Sequence, residues 1–127
     1  MRNYYVYVYL DTSKNGVYSF DDIYLHYEPF YVGKGRNERF LAHLKKNPAN
    51  KILAEKIKEI RQKGFEPCVI KIAENIPTDG KALEIEDMVI EKIGRKDLGI
   101  GTLLNKNKGR IPFNQKIIVK IINEVNI

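Results

Sequence analysis

Tyr4-Tyr5-Val6-Tyr7-Val8-Tyr9-Leu10 is the stretch whose reading decides the fold. Successive side chains of a strand point to opposite faces. Tyr5, Tyr7 and Tyr9 therefore share one face, and Val6, Val8 and Leu10 share the other. Aromatic and β-branched residues at period two predict a β-strand. Asp11 to Gly16 is turn-rich, and Asn15-Gly16 is a hairpin signal, so the strand is expected to end at Leu10. Extended pieces follow near 17–20 and 23–27. Phe30-Tyr31-Val32-Gly33 is the next firm strand, broken by Gly33-Lys34-Gly35.

Asn37 reads as the cap of a helix running to Lys45, with Phe40, Leu41 and Leu44 as its apolar stripe. Arg39 and His43 lie one turn apart on its other side. A longer helix over 49–63 packs through Leu53, Ile57 and Ile60 and stops at Gly64. Pro67 to Ile72 reads as a strand with Val69 as its core residue. A third helix covers 79–93, and Gly94 to Asn105 is a loop. Residues 113–125 read as a basic C-terminal helix, with strand as the alternative at Ile117-Ile118-Val119. Strands joined by a hairpin, then helices around one more strand, predict an α+β fold. The sheet is small, antiparallel or mixed, with about three strands flanked by helices.

The 127 residues form one domain, with no room for a second core. Hydrophobic residues at 43% and charged residues at 30% exclude a disordered or fibrous chain. No apolar run is long enough for a membrane helix, and the N-terminus lacks the pattern of a secretory signal. A single cysteine, Cys68, excludes an internal disulfide framework and a cysteine-rich zinc site. The expected compartment is the cytoplasm. The net charge is +6, and residues 33–64 and 106–127 hold all the excess, at +7 and +4. Residues 1–32 and 65–105 sum to −2 and −3. A polyanion is the natural partner, although lysine-rich helices also serve plain solubility.

The third helix holds a carboxylate out of place. Ile85, Val89, Ala82, Ile93, Ile90 and Leu83 fill an arc of about 160°. Glu84, Asp87 and Glu91 lie on the far side, but Glu86 falls inside the apolar arc. A buried carboxylate needs a partner. An ion pair with Lys or Arg would serve, as would a rotation that brings Glu86 to a cleft edge. The other reading is a metal ligand in a pocket floor. One carboxylate without a His/Cys cluster suits Mg²⁺, which keeps waters and takes further oxygens from phosphate.

Arg39 and His43 are the complement. Arg forks onto phosphate oxygens, and His donates or accepts a proton. Either is equally at home as a solvated surface residue. Lys34 stands between two glycines, where backbone approaches a ligand closely, but the loop matches neither common phosphate-binding pattern. Tyrosines in paired strands usually pack, which is the plain reading of Tyr5 and Tyr9. Tyr7 and Tyr31 become reactive only beside a group that takes the phenol proton or stabilises its charge, a role open to a neutral Lys34.

In this order, the residues resemble the GIY-YIG endonuclease family. Tyr5-Val6-Tyr7 stands where the first motif falls, with Tyr5 in place of its glycine, and Tyr31-Val32-Gly33 matches the second. Arg39 and His43 match the helix pair. Ala82-Leu83-Glu84-Ile85-Glu86-Asp87-Met88-Val89-Ile90 resembles the helix carrying the metal-binding glutamate, which selects Glu86. Leu103-Leu104-Asn105 matches the closing Asn. The resemblance covers residues 4–105. Phe30-Tyr31-Val32-Gly33-Lys34-Gly35 is similar to the subgroup containing the nuclease module of LEM-domain and ankyrin-repeat proteins, with bacterial and phage members. Two departures stand out. Tyr7 and Tyr31 are 24 positions apart, which implies an enlarged hairpin or loop over 12–28. The step from Tyr31 to Arg39 is slightly short, which brings Arg36 in as a sharer of that role.

The resemblance implies a metal-dependent endonuclease hydrolysing phosphodiester bonds, with Mg²⁺ or Mn²⁺ held by Glu86. Arg39 then neutralises charge on the phosphoryl oxygens, Tyr7 orients or deprotonates water with help from Lys34, and Tyr31 lines the pocket. His43 is a second phosphate contact or proton relay, and Asn105 positions the Glu86 region or a backbone loop. DNA is the expected substrate, with RNA admitted by the same charge. Without a reader module, cleavage is of low sequence specificity, structure-selective or broad. The alternative is a non-catalytic basic nucleic-acid-binding module whose tyrosines stack bases. Glu86 separates the two, because a pure binder gains nothing from a carboxylate facing a polyanion.

Overall fold

The structure, a computed structural model, describes residues 3–45 and 50–106. The helix expected over 113–125 lies outside them. Three strands, β1 Tyr4–Phe20, β2 Ile23–Gly35 and β3 Cys68–Ile76, form one antiparallel sheet in the order β2-β1-β3. Helices α1 Lys51–Gln62 and α2 Asp79–Ile93 pack on opposite faces. The α+β expectation is met.

β1 is the central strand, so both its faces are covered. Val6, Val8 and Leu10 pack with Val32 and with Ala82, Val89 and Ile90 of α2. Tyr5, Tyr7 and Tyr9 pack with Phe30 and with Leu53, Ile57 and Ile60 of α1. A buried phenol keeps its hydroxyl satisfied or loses about 1–3 kcal/mol. Two of these hydroxyls clamp one peptide unit. Tyr5 Oη accepts from the Phe40 N–H at 3.0 Å, and Tyr9 Oη donates to the Phe40 carbonyl at 2.6 Å. Tyr5 Oη also donates to the Asn37 carbonyl at 2.8 Å.

This clamp explains one correction. The helix expected from Asn37 to Lys45 is a short 3₁₀ helix, Arg39–Leu44. Asn37 does not cap it. It adopts φ +57°, the left-handed region that asparagine tolerates, and turns the chain so that its carbonyl meets Tyr5. Leu41, expected in the apolar stripe, is exposed, while Phe40 and Leu44 pack on the tyrosine side.

The second correction concerns the hairpin. β1 does not turn at Asp11–Gly16. Asp11 Oδ1 accepts from Ser13 N at 3.0 Å and Ser13 Oγ at 2.6 Å, and Oδ2 meets Lys56 Nζ of α1 at 2.8 Å. The turn-forming chemistry makes bulges instead: the register slips between Asp11 and Asn15 and again before Tyr18. The reversal comes at Asp21-Asp22, where Asp21 has φ +52° and both its oxygens meet Lys92 Nζ of α2, at 2.6 and 2.7 Å. The enlarged hairpin is therefore a continuous ribbon. Leu25 is buried in the α2-side core, with Tyr18, Phe20, Ile23 and Tyr27 packed around it. Gly33-Lys34-Gly35 likewise does not break β2, which runs to Gly35.

The remaining elements follow the sequence closely. Asn50 caps α1 through Leu53 N, and Gly64 at φ +87° ends it, with Phe65 N–H reaching the Ile60 carbonyl. Thr78 caps α2 through Lys81 N. β3 is longer than expected, and Val69 is half-buried rather than central, while Ile76 is buried. Among the described residues no helix is long and apolar enough to cross a membrane.

Asp11 is fully buried, so its ion pair with Lys56 matters to stability. Burial alone would raise the Asp11 carboxyl, but hydrogen bonds from Lys56 and Ser13 outweigh it and hold the group below its ordinary 3.8. Lys56→Met should destabilise the fold by roughly 3 kcal/mol, because a buried charge loses its partner. A depressed folded pKa means that this contribution is present above about pH 4 and is lost as pH falls through the folded value. Urea denaturation at pH 7 and at pH 3 checks both statements: the gap between wild type and variant should shrink in acid.

Candidate active site

A hollow of about 210 Å³ opens at the β2 edge of the sheet, lined by Tyr7, Tyr31, Gly33, Lys34, Arg39, His43 and Glu86. Six of the seven residues singled out in the sequence meet here. They come from four elements: β1, β2, the 3₁₀ helix and α2. Tyr7, Tyr31, Arg39 and His43 belong to the tyrosine side, and Glu86 comes from the helix on the other side.

Sterics position the first of them. Tyr7 pairs with Gly33 across the strands, and a methyl group built on Gly33 would overlap the Tyr7 ring and hydroxyl. The phenol thus lies across a position of β2 that has no side chain. Gly35 plays the same part for Arg39, whose Cβ would stand 2.9 Å from a Gly35 methyl. These glycines were read as strand breakers; they are the floor over which two site residues lie. The register, invisible in the sequence, is the signal that would have identified them.

The 3₁₀ helix places Arg39 and His43, and Phe40 between them is held by Tyr5 and Tyr9. His43 packs edge-on to Tyr31 and Tyr9, with ring centroids 4.9 and 5.7 Å away. Burial, and then the charge of Arg39, lowers His43 below the usual imidazole value of 6.5. His43 is therefore neutral at pH 7 and able to accept a proton. Tyr7 is shifted the other way: burial, the phenols of Tyr31 and Tyr9, and Glu86 raise it well above 10.0 against the opposing pull of Arg39. Its hydroxyl stays protonated. Burial also pushes Tyr9 up to about 12, in keeping with a structural hydroxyl.

Lys34 Nζ is ion-paired with Asp79 Oδ1 at 2.6 Å. It enters the pocket as a held cation, so the idea of a neutral Lys34 taking the Tyr7 proton does not fit this pairing. Asp79, the first residue of α2, went unnoticed in the sequence because nothing there links it to β2. Glu86 is 5% exposed and lies among the buried residues of α2, with its side chain on the hollow.

Asn105 stands elsewhere. Its Oδ1 accepts from Val32 N at 3.0 Å and its Nδ2 donates to the Val32 carbonyl at 2.8 Å. Leu104 N–H bonds to the Phe30 carbonyl and Thr102 Oγ1 to the Pro29 carbonyl. The loop thus covers the outer edge of β2 up to the residue before Gly33. Asn105 positions a backbone segment of the site and does not line it.

A larger hollow of about 520 Å³ lies against Lys14, Glu28, Lys56 and Glu59. Lys14 is paired there with Glu28, and Lys56 with Asp11 and Glu59. It gathers no acid–base constellation.

The profile of the LEM-3-like GIY-YIG domain matches residues 4–120. The chain belongs to this family. No curated protein and no solved structure matches it. GIY-YIG domains are nucleases, so the chain belongs to a phosphodiester-cleaving class acting on nucleic acid. Among the described residues no cluster of three or more His, Cys, Asp or Glu side chains could cage a metal ion. The donor set of this GIY-YIG domain does fit a hard divalent cation that draws its other ligands from water and phosphate: one buried carboxylate, Glu86, beside Arg39 and Lys34.

Gly33→Ala should push the Tyr7 ring off β2 and so disturb the tyrosine-side core to which that ring belongs. Cleavage should fall by about 100-fold, because small displacements of a reacting group cost that much, with a lowered melting temperature from overpacking of about 1–3 kcal/mol. Parallel nicking assays and thermal melts measure both.

Proposed function

We propose that this GIY-YIG domain is a divalent-metal-dependent endonuclease that hydrolyses DNA with low intrinsic sequence specificity. The observation that carries the proposal is the convergence of Tyr7, Tyr31, Arg39, His43 and Glu86 on one hollow. Glu86 would hold Mg²⁺ or Mn²⁺, which when bound supplies Lewis-acid stabilisation of the phosphate and the leaving oxygen. Arg39, exposed and lying over Gly35, takes the phosphoryl oxygens in a forked contact. Tyr7 stays a neutral phenol, so it orients the attacking water by hydrogen bonding and does not itself remove the proton. The neutral imidazole of His43 is the acceptor that the pocket walls offer at pH 7. Lys34, fixed by Asp79, adds positive charge beside the scissile group. Asn105 acts through Val32. Cys68 is a free thiol, in keeping with work in the cytoplasm.

Glu86→Gln, Arg39→Ala and Tyr7→Phe should each reduce Mg²⁺-dependent nicking of supercoiled plasmid by about 100-fold or more with the fold retained. EDTA should abolish cleavage by the wild type. Wild-type nicking by all three variants sinks the assignment. Binding without cleavage in Mg²⁺ and Mn²⁺ would favour a pure binding module.

The acid limb gives a separate check. His43 must be neutral to accept a proton, and its folded pKa lies below 6.5. The kcat/KM for cleavage should therefore fall on an acid limb that lies below the ordinary imidazole value of 6.5. His43→Ala should lower the plateau and remove this limb. A limb that survives the substitution assigns the proton acceptor to another group.

A further inference from the structure

The row of residues across the sheet at the hollow runs Gly33, Tyr7, Lys71, one from each strand. Direct partners in a sheet share a face, so Lys71 of β3 stands on the tyrosine face, on the side of Tyr7 away from β2. Its Nζ lies 4.4 Å from the ring centroids of both Tyr5 and Phe40. Tyr5 neighbours Tyr7 with centroids 6.1 Å apart, and Phe40 follows Arg39 in the chain. One cation is thus seated on aromatic rings beside the hollow, on the tyrosine face.

Its charge is available. Lys14, Lys34, Lys56, Arg61, Lys63, Lys81, Lys92 and Arg95 all pair with carboxylates. Among the described residues Lys71 has no carboxylate partner, and it is exposed. A cation held over aromatic rings keeps its full charge and loses less freedom on meeting a phosphate. Lys71 is easily overlooked in the sequence, because it belongs to the block of residues 65–105 whose net charge is −3.

We propose that Lys71 seats a phosphate of the nucleic-acid backbone flanking the scissile bond. The contact rests on the nuclease reading of the hollow. Its partner is the sugar-phosphate chain itself, so it adds affinity without sequence preference. Lys71 does not touch the reacting phosphate, and its loss should raise KM with kcat kept.

The test is the salt dependence of binding to a short mixed-sequence DNA duplex, measured in the Glu86→Gln background, beside cleavage by otherwise wild-type protein. Each lost phosphate contact should flatten the plot of log K against log[salt] by about 0.9. Lys71→Gln should flatten it by that amount. Lys71→Arg should retain the slope, and Lys92→Gln, a charge change of the same size at the far end of α2, should leave it unchanged. A Lys71→Gln variant with the parental slope and unchanged KM overturns the contact while cleavage by wild type stands. Flattening as expected, in a protein that cuts in no divalent metal, keeps the contact and overturns the nuclease reading instead.

Discussion

The hydrogen-bond needs of three tyrosines on one strand face organise the molecule. β1 is buried on both sides, so Tyr5, Tyr7 and Tyr9 bring three phenols into the interior. Two of the hydroxyls find the peptide of Phe40, and in doing so fix the short 3₁₀ helix. That helix has no side-chain cap of its own. Its geometry is imposed from the sheet, and Arg39 and His43 stand on either side of the clamped peptide. The third hydroxyl, on Tyr7, lies over a glycine at the mouth of the hollow. Alternation along one strand thus yields two structural phenols and one that faces the site.

The second constraint is the edge of β2. An open strand edge exposes backbone donors and acceptors. Thr102, Leu104 and Asn105 satisfy Pro29, Phe30 and Val32 in turn, and Asn105 does so with both ends of its amide. The hollow begins where this cover ends, at Gly33. On the other face α2 is held at both ends, by Asp79 to Lys34 and by Lys92 to the ribbon tip at Asp21. Glu86 lies between these anchors. Two exposed ion pairs add little to stability individually. Their effect is to fix where the helix lies along β2.

The elements whose signal is local were legible in the sequence. Period-two alternation gave the first half of β1, helical periodicity gave α1 and α2, and Gly64 marked the stop of α1. Glu86 was legible because a helix has a fixed period, so a carboxylate in an apolar arc stands out. The readings that failed all depended on partners distant in the chain. Asp11 carries a turn signal, but Lys56 and Ser13 take its oxygens and leave a bulge. Asn37 resembles a cap, but Tyr5 takes its carbonyl and leaves a left-handed turn. Gly33 and Gly35 look like strand breakers until the register sets Tyr7 and Arg39 above them. Lys34 has a chemically plausible role as a base at the site, yet it meets Asp79.

The charge pattern shows why block sums locate a partner without locating its contact. Residues 33–64 carry a net +7, yet several of these cations are already engaged. Lys56 meets Asp11, Arg61 meets Glu66 and Lys63 meets Glu59. Such pairs contribute to the field far from the protein and little to a close contact, since a phosphate must displace a carboxylate to use them. Arg39 and Lys71 come from two different blocks, one of them net acidic. The 3₁₀ helix and the strand register bring them to one face. The arrangement that matters to a polyanion is therefore a property of the sheet, built from the same tyrosine face that holds the hollow in place.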